Sequence, residues 1–175
     1  YEPQVLEKLH KAELSMLKDF ARLCEENGIE YFAISGTAIG AVRHHGFIPW
    51  DDDIDVALLR KDYERFVKAM RKDAEFCSKY ELWGPDQPHK YYNLQPTLMM
   101  KHTLFVNENA YAGNYRPGIL MDLFIYDNLP EEKDKADLII KKCRRYKILY
   151  IVRNVDHFKL LKGKAPVQKI KNIIC

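Results

Sequence analysis

The sequence lacks the features that mark several specialised classes of protein. No apolar run approaches the roughly 20 residues that span a bilayer, and no segment resembles a signal peptide. The chain has 28 Lys and Arg against 25 Asp and Glu, so its net charge is only +3. This excess is too small and too scattered for a nucleic-acid groove. We therefore expect neither a membrane span nor a nucleic-acid partner.

Cysteine is also scarce, with four residues far apart in the chain and no CxxC pair among Cys24, Cys77, Cys143 and Cys175. Small secreted domains need a denser disulfide framework, so this pattern predicts reduced thiols and a cytoplasmic location. The 175 residues are 47% hydrophobic and 30% charged. That composition suits one globular domain over residues 1–175.

The pattern of apolar residues predicts alternating helices and strands. A 3.6-residue period predicts helices over residues 3–27, 38–43, 61–73 and 131–153. Alternating or β-branched runs predict strands over residues 29–35, 53–59, 81–83, 97–106 and 119–126. We expect the first of these strands to be buried, and residues 44–52 to form a loop.

Four carboxylates fall within five positions, at Asp51, Asp52, Asp53 and Asp55. So much negative charge is costly unless a cation offsets it, and a divalent metal is the natural partner. Because strand side chains alternate, Asp53 and Asp55 would share one face about 6–7 Å apart. The spacing therefore favours Asp53 with Asp55 over Asp51 with Asp53.

Two further features add to this prediction. Asp122 is a lone acid in an aliphatic strand, an expensive burial unless it joins the same site from a neighbouring strand. Gly36 and Thr37 open a helix after a strand, where free backbone N–H groups bind phosphate readily. We predict that Asp53, Asp55 and Asp122 hold one or two Mg²⁺, with Mn²⁺ as a substitute.

Each feature also has a plainer interpretation. The acids could form a solvated loop, or a calcium loop with Asp51, Asp53, Asp55 and Asp62 at positions 1, 3, 5 and 12, although Val56 stands where that loop needs glycine. Asp122 could be a structural acid bonded to backbone, and Gly36-Thr37 an ordinary helix cap.

Two blocks of sequence resemble one known family. Residues 35–56, which read SGTAIGAVRHHGFIPWDDDIDV, are similar to the signature of the LicD family of phosphocholine transferases and fukutin-type proteins. Residues 118–124 (GILMDLF) with 127–130 (DNLP) resemble the family's second block. The resemblance implies an α+β nucleotidyltransferase fold of the polymerase-beta type, a mixed sheet flanked by helices. The family continues past the long helix, so we expect this chain to be a segment of a longer protein.

The resemblance also implies an activity. Such a transferase moves a phospho-substituent, such as phosphocholine, from a CDP-activated donor to a hydroxyl of a cell-surface glycan and releases CMP. Asp53, Asp55 and Asp122 would be catalytic as metal ligands, and Asp122 could accept the acceptor proton. The donor phosphates would contact a second set of residues: Gly36, Thr37, Arg43, His44 and Lys101. A cytoplasmic enzyme would meet the membrane only through its glycan acceptor.

Other assignments stay open at this point. Arg43, His44 and His45 could equally be exposed loop residues, and Lys101 an ordinary solvated lysine. The rings of Trp83, Tyr91, Tyr92, Tyr111 and Tyr115 could cage a quaternary ammonium, although packing is their commoner use. The alternative functions are a transferase that adds a nucleotide to a small acceptor, and a nucleotide-binding module without turnover.

Overall fold

The computed structural model describes residues 2–87, 91, 94–105 and 115–154. In chain order the elements are α1 (Pro3–Glu26), β1 (Phe32–Ala33), α2 (Ser35–His44), β2 (Asp55–Leu59), α3 (Arg60–Met70), α4 (Ala74–Lys79), β3 (Tyr80–Trp83), β4 (Thr97–Met100), β5 (Leu120–Tyr126) and α5 (Lys133–Asn154). They form one mixed five-stranded sheet flanked by helices. The predicted α+β class is confirmed.

The strand order in the sheet is β1-β2-β5-β4-β3. Strands β2 and β5 run parallel, and the other neighbouring pairs are antiparallel. The parallel pair lies inside the sheet, although 60 residues (60–119) separate the two strands in the chain. This crossover brings the acid-bearing strands next to each other.

Helix α1 forms where the sequence predicts it. Pro3 stands in the first turn, where its missing N–H costs nothing. At the other end Asn27 Nδ2 donates to the Leu23 carbonyl at 2.8 Å, and Gly28 adopts a φ of +58° that glycine reaches without strain. The helix therefore has sequence signals at both ends, and its prediction is confirmed.

The two faces of the sheet differ in chemistry. Alternate residues of β2, β4 and β5 join a core with α1 and α3, and they are Val56, Leu58, Leu98, Met121 and Leu123. Because strand side chains alternate, Asp55, Thr97 and Asp122 point to the opposite face. We call this opposite side the acid face. A smaller cluster on it contains Met99 and Leu120 together with aromatic rings.

Two strand predictions need correction. The strand predicted over residues 29–35 pairs only at Phe32 and Ala33, and both are exposed because β1 is the edge of the sheet. Strand β2 begins at Asp55 rather than residue 53. Asp53 thus lies in the preceding loop, and strand alternation does not relate it to Asp55.

Other boundaries shift as well. Strand β4 ends at Met100, short of the predicted residue 106, which lies outside the described residues. Helix α2 begins three residues early, at Ser35, so Gly36 and Thr37 are inside its first turn. The helix predicted over residues 61–73 ends at Met70, and Asp73 instead starts α4 by accepting the Phe76 N–H at 2.8 Å. The long helix α5 matches its prediction within two residues at its start and one at its end.

The cysteines that the structure describes are free thiols: Cys24, Cys77 and Cys143. Cys24 is buried in the core, and the Cys77 Sγ donates to the Met70 carbonyl. Cys175 lies outside the described residues. Among the described helices, none is both long enough and apolar enough to cross a lipid bilayer.

Candidate metal and phosphate site

Asp55 and Asp122 are register partners on the parallel strands β2 and β5. Neighbouring strands lie about 4.8 Å apart, and partners in register point to the same side of the sheet. Thr97 of β4 is the register partner of Asp122 on its other side, and its hydroxyl donates to Asp122 Oδ1 at 2.6 Å. The acid face therefore carries two adjacent carboxylates, one of which is held by a buried hydroxyl.

Burial raises the pKa of Asp122, and the charge of Asp53 raises it further, whereas the Thr97 hydrogen bond lowers it. Burial and the neighbouring Asp122 raise the pKa of Asp55, which a hydrogen bond from the Ser35 side chain opposes. Both carboxylates are thus held in an environment that disfavours their negative charge. A cation at this position would reverse that effect.

The loop before β2 forms a second part of the site. Carboxylate oxygens of Asp51, Asp52 and Asp53 lie within 4.8 Å of one another, close enough to share a metal ion. Burial, with the charges of Asp55, Asp51 and Asp52, raises the pKa of Asp53 to about 6. We call residues 51–53 the acidic loop. Asp53 interacts electrostatically with Asp51 and Asp52 in this loop and with Asp55 and Asp122 on the acid face.

Helix α2 begins beside these acids. The backbone N–H of Asp55 donates to Thr37 Oγ1 at 2.9 Å, which fixes the first turn of α2 against the start of β2. A β-carbon on Gly36 would come within 2.3 Å of Asp51 Oδ2, so this position leaves room for the carboxylate only as glycine. Gly36 and Thr37 therefore lie next to the acids, as the sequence predicts.

Ser35 has a φ of +51°, a conformation that is uncommon for residues other than glycine. It stands at the junction between β1 and α2, and its side chain bonds the Asp55 carboxylate. Strained backbone often concentrates at functional sites, and here it accompanies a contact with a candidate metal ligand.

The structure does not bring every predicted phosphate ligand to this place. Arg43 and His44 are exposed in the last turn of α2, about 10 Å along the helix axis from Gly36. Lys101 lies just past the end of β4, about 13 Å along the chain from Thr97, and its ammonium donates to the Cys77 carbonyl at 2.5 Å. Lys101 is therefore not brought together with the acids.

Three of the predicted aromatic residues do meet. The rings of Trp83, Tyr91 and Tyr115 have centroids 5.4–6.4 Å apart, and each pair is tilted or edge-to-face. They pack against Met99 and Leu120 on the acid face. These contacts agree with the packing interpretation. Tyr92 and Tyr111 lie outside the described residues.

A cavity of about 420 Å³ opens near the acid face. Phe124, two residues beyond Asp122 and on the same side of β5, forms part of its wall together with Gln95. Arg60 and Lys147 line it as well, although the Arg60 guanidinium also makes a bidentate contact with Asp127. Volumes of this order accommodate small-molecule ligands.

Sequence reasoning missed several contributors to this site. Ser35 and Thr97 contact the acids, and neither stands out in the sequence, since single hydroxyl residues are common in strands and junctions. Burial, followed by the charges of Asp53, Asp52 and Asp51, raises the pKa of Glu13 in α1. This acid does have a signal in the sequence, because the helical period of Leu9, Met16 and Phe20 predicts an apolar residue at its position.

Comparison with known proteins agrees with the sequence blocks. The family model described as LicD/FKTN/FKRP, nucleotidyltransferase domain, matches residues 28–112. Residues 28–112 therefore carry a LicD-family domain. The matched range of the LicD-type domain contains Gly36, Thr37 and the acidic loop, whereas Asp122 follows it.

Among similar proteins is the lipopolysaccharide cholinephosphotransferase LicD of Haemophilus influenzae, 35% identical over 146 residues, which cover 78% of this chain and 50% of that protein. An uncharacterized Rickettsia typhi protein is 40% identical over 67 residues, or 38% of this chain and 22% of its own length. A Rickettsia prowazekii protein is 47% identical over 47 residues, which cover 27% of this chain and 18% of that protein. The LicD-family chain thus spans about half the length of its Haemophilus relative, and less of the other two.

Proposed function

We propose that this protein is a metal-dependent transferase that moves a phospho-substituent such as phosphocholine from a CDP-activated donor to a hydroxyl of a cell-surface glycan. The observation that carries the proposal is the register pairing of Asp55 with Asp122, beside Asp53 and the first turn of α2. The name of the Haemophilus relative, a lipopolysaccharide cholinephosphotransferase, supports the phosphocholine class and a lipopolysaccharide acceptor. We further propose that the sheet is of the polymerase-beta nucleotidyltransferase type.

The carboxylates of the site suit a hard divalent cation. Its candidate ligands are carboxylates, which Mg²⁺ and Mn²⁺ prefer, and burial with mutual repulsion raises the pKa of each. Asp53, Asp55 and Asp122 would hold one or two such ions. When bound, a divalent cation neutralises charge on the donor diphosphate and on the departing phosphate.

The chain's own groups then account for orientation and proton transfer. Backbone N–H groups in the first turn of α2, at Gly36 and Thr37, would bind a donor phosphate. Asp122 would accept the proton of the acceptor hydroxyl, with Thr97 holding one of its oxygens so that the other faces the substrate. The acceptor oxygen bonds to the phosphorus that bears the alcohol, the bond from that phosphorus to the CMP oxygen breaks, and CMP leaves.

We place the nucleoside part of the donor in the 420 Å³ cavity, whose lining includes the apolar Phe124 and Ile125 and one charge of each sign at Lys147 and Asp86. Arg43 and His44 lie on the same helix as the phosphate-binding turn, and we propose that they contact the donor from its far end.

The test is a donor screen. The protein is incubated with CDP-choline or other CDP-alcohols and a lipopolysaccharide acceptor, with Mg²⁺ or with EDTA, and released CMP is measured. We expect CMP only when donor, acceptor and Mg²⁺ are all present. Release of pyrophosphate from a nucleoside triphosphate would instead identify a nucleotide-adding enzyme. Failure of every donor to yield CMP or pyrophosphate, despite nucleotide binding, would indicate a module without turnover.

A further inference from the structure

Glu13 is an acid in the buried stripe of α1. Its side chain is 1% exposed, and its neighbours in the stripe are Leu9, Met16 and Phe20. The Oε2 atom is buried and has no hydrogen-bond partner in the part of the chain that the structure describes. Within the described residues no Lys or Arg forms an ion pair with this carboxylate. A buried carboxyl oxygen without a partner is expensive, so something besides these residues is expected to satisfy it.

The face of α1 that carries Glu13 lies against the acidic loop. His10, one turn before Glu13, donates from Nε2 to the Asp51 carbonyl at 2.7 Å, and its ring stacks on Phe47 at 4.1 Å. Residues i and i+3 of a helix share a face, so Glu13 is directed to the same loop. After burial, the charges that affect it most are those of Asp53, Asp52 and Asp51.

Glu13 of helix α1 and the three acids of the acidic loop thus influence one another electrostatically, although they are distant in sequence. Among the described residues, the carboxylate oxygens that lie within the span of one metal ion are those of the three loop acids. Repulsion among them would push α1 away from the loop, yet His10 holds the two together. A divalent cation would offset this repulsion when the acids are ionised and would also give the buried Oε2 a partner.

We propose that Glu13 supplies a fourth carboxylate, from α1, to a divalent cation held by Asp51, Asp52 and Asp53. The inference rests on the proposed function only for the presence of a divalent cation that Asp53, the acid common to both sets of ligands, helps to hold. It adds a ligand outside the matched range 28–112, and it ties α1 to the acidic loop through the metal.

Mn²⁺ binding provides a test that does not depend on activity. Free Mn²⁺ is followed by electron paramagnetic resonance during titration of the wild-type protein, Glu13→Gln and the control Glu25→Gln, an exposed acid of the same helix. Glutamine matches glutamate in shape, so the fold should persist, and circular dichroism checks this. We expect Glu13→Gln to weaken Mn²⁺ binding about tenfold or more, and Glu25→Gln to leave it unchanged.

The variant Glu13→Asp retains the charge but withdraws it by one methylene group, so its Mn²⁺ affinity should lie between those of the wild type and Glu13→Gln. Wild-type affinity in Glu13→Gln, or no Mn²⁺ binding by the wild type, would overturn the inference. If Glu13→Gln loses Mn²⁺ while the wild type releases no CMP, the proposed function fails and this ligand assignment stands. If the wild type releases CMP in a Mg²⁺-dependent manner and Glu13→Gln binds Mn²⁺ as tightly as the wild type, the assignment of Glu13 as a ligand is refuted and the proposed function stands.

Discussion

Thr97 and Asp122 face each other across β4 and β5, and the Thr97 hydroxyl donates to Asp122 Oδ1 at 2.6 Å. This bond holds the carboxylate at a fixed position beside Asp55. It also favours the charged form of Asp122, against the burial and the Asp53 charge that disfavour it. The hydroxyl therefore controls both the orientation and the protonation of an acid that we propose as a metal ligand and proton acceptor.

Replacing Thr97 with valine keeps the shape and removes the hydrogen bond. We expect the pKa of Asp122 to rise, so the acidic limb of the kcat/KM profile should move to higher pH and kcat should fall about tenfold. The measurement is the pH profile of CMP release. In an Asp122→Asn background the same substitution should have little further effect, because the two residues act as a pair. If the losses of activity caused by the Thr97 and Asp122 substitutions add up in the double variant, Thr97 acts independently of Asp122.

Asp55→Asn removes one charge from a repulsive group without changing its shape. Metal-dependent CMP release should fall by about 100-fold or more, which corresponds to about 2.7 kcal/mol of transition-state stabilisation. The urea unfolding curve should show no loss of stability. Asp137→Asn, at an exposed position of α5, is the matched control and should retain full activity. Full activity in the Asp55 variant would refute its role as a ligand.

Gly36→Ala tests the contact between α2 and the acidic loop. The new methyl group would meet Asp51 Oδ2 at 2.3 Å, and the end of a flexible side chain can move away at small cost. We expect stability to change by less than about 1 kcal/mol, while Mn²⁺ affinity and CMP release fall, because the Asp51 carboxylate is displaced. Gly46→Ala is the control, since no atom of the described residues lies within 4 Å of its added carbon. Equal Mn²⁺ affinities in the two variants would contradict the expectation.

Gly40→Ala should behave differently from Gly36→Ala. Its added carbon would come 2.5 Å from the Gly46 carbonyl oxygen and 3.0 Å from the Ile48 amide nitrogen, and both atoms belong to the backbone. Backbone cannot yield as a side chain does, so we expect a loss of about 1–3 kcal/mol in the free energy of unfolding. Chemical denaturation measures it. A wild-type midpoint for Gly40→Ala would show that residues 46–48 can move off α2.

Stability of the metal-free protein should depend on pH. In the folded state burial raises the pKa of Glu13 to about 8, with the Asp53, Asp52 and Asp51 charges adding to it, and burial and neighbouring acids raise that of Asp53 to about 6. Both values lie above those of the unfolded chain, so the folded state binds more protons. The extra protons stabilise the folded state fully below about pH 4, and this stabilisation is lost as the pH rises through the folded-state pKa values of about 6 and about 8.

In EDTA we therefore expect the free energy of unfolding to fall by about 3 to 5 kcal/mol between pH 5 and pH 8; the upper value follows from the full shifts of Glu13 and Asp53, and the lower one allows for solvent screening. Urea titrations at several pH values measure it. Glu13→Gln should flatten this dependence, and Mg²⁺ should restore stability at pH 8. A free energy that is constant or rises over this range would contradict the assigned pKa shifts.

Local patterns in the sequence determined much of this protein. Apolar spacing with Pro3 and Gly28 defined α1, and the aliphatic run around Asp122 defined β5, because both patterns depend on contacts between near neighbours. The density of acids at residues 51–55 pointed to a cation for an equally local reason. The same sequence blocks predicted the LicD family, and comparison with known proteins agreed.

Only the tertiary structure decided which acids meet. Strand pairing brought Asp122 into register with Asp55 from 67 positions away, and helix packing buried Glu13 where the charges of Asp53, Asp52 and Asp51 affect it. Asp53 lies outside β2, so the alternation of side chains along a single strand does not describe the arrangement of the acids. Strand register and helix docking depend on the whole core, whose free energy no short window of sequence contains. The sequence therefore predicted the chemistry of the site, and the fold selected the residues that share it.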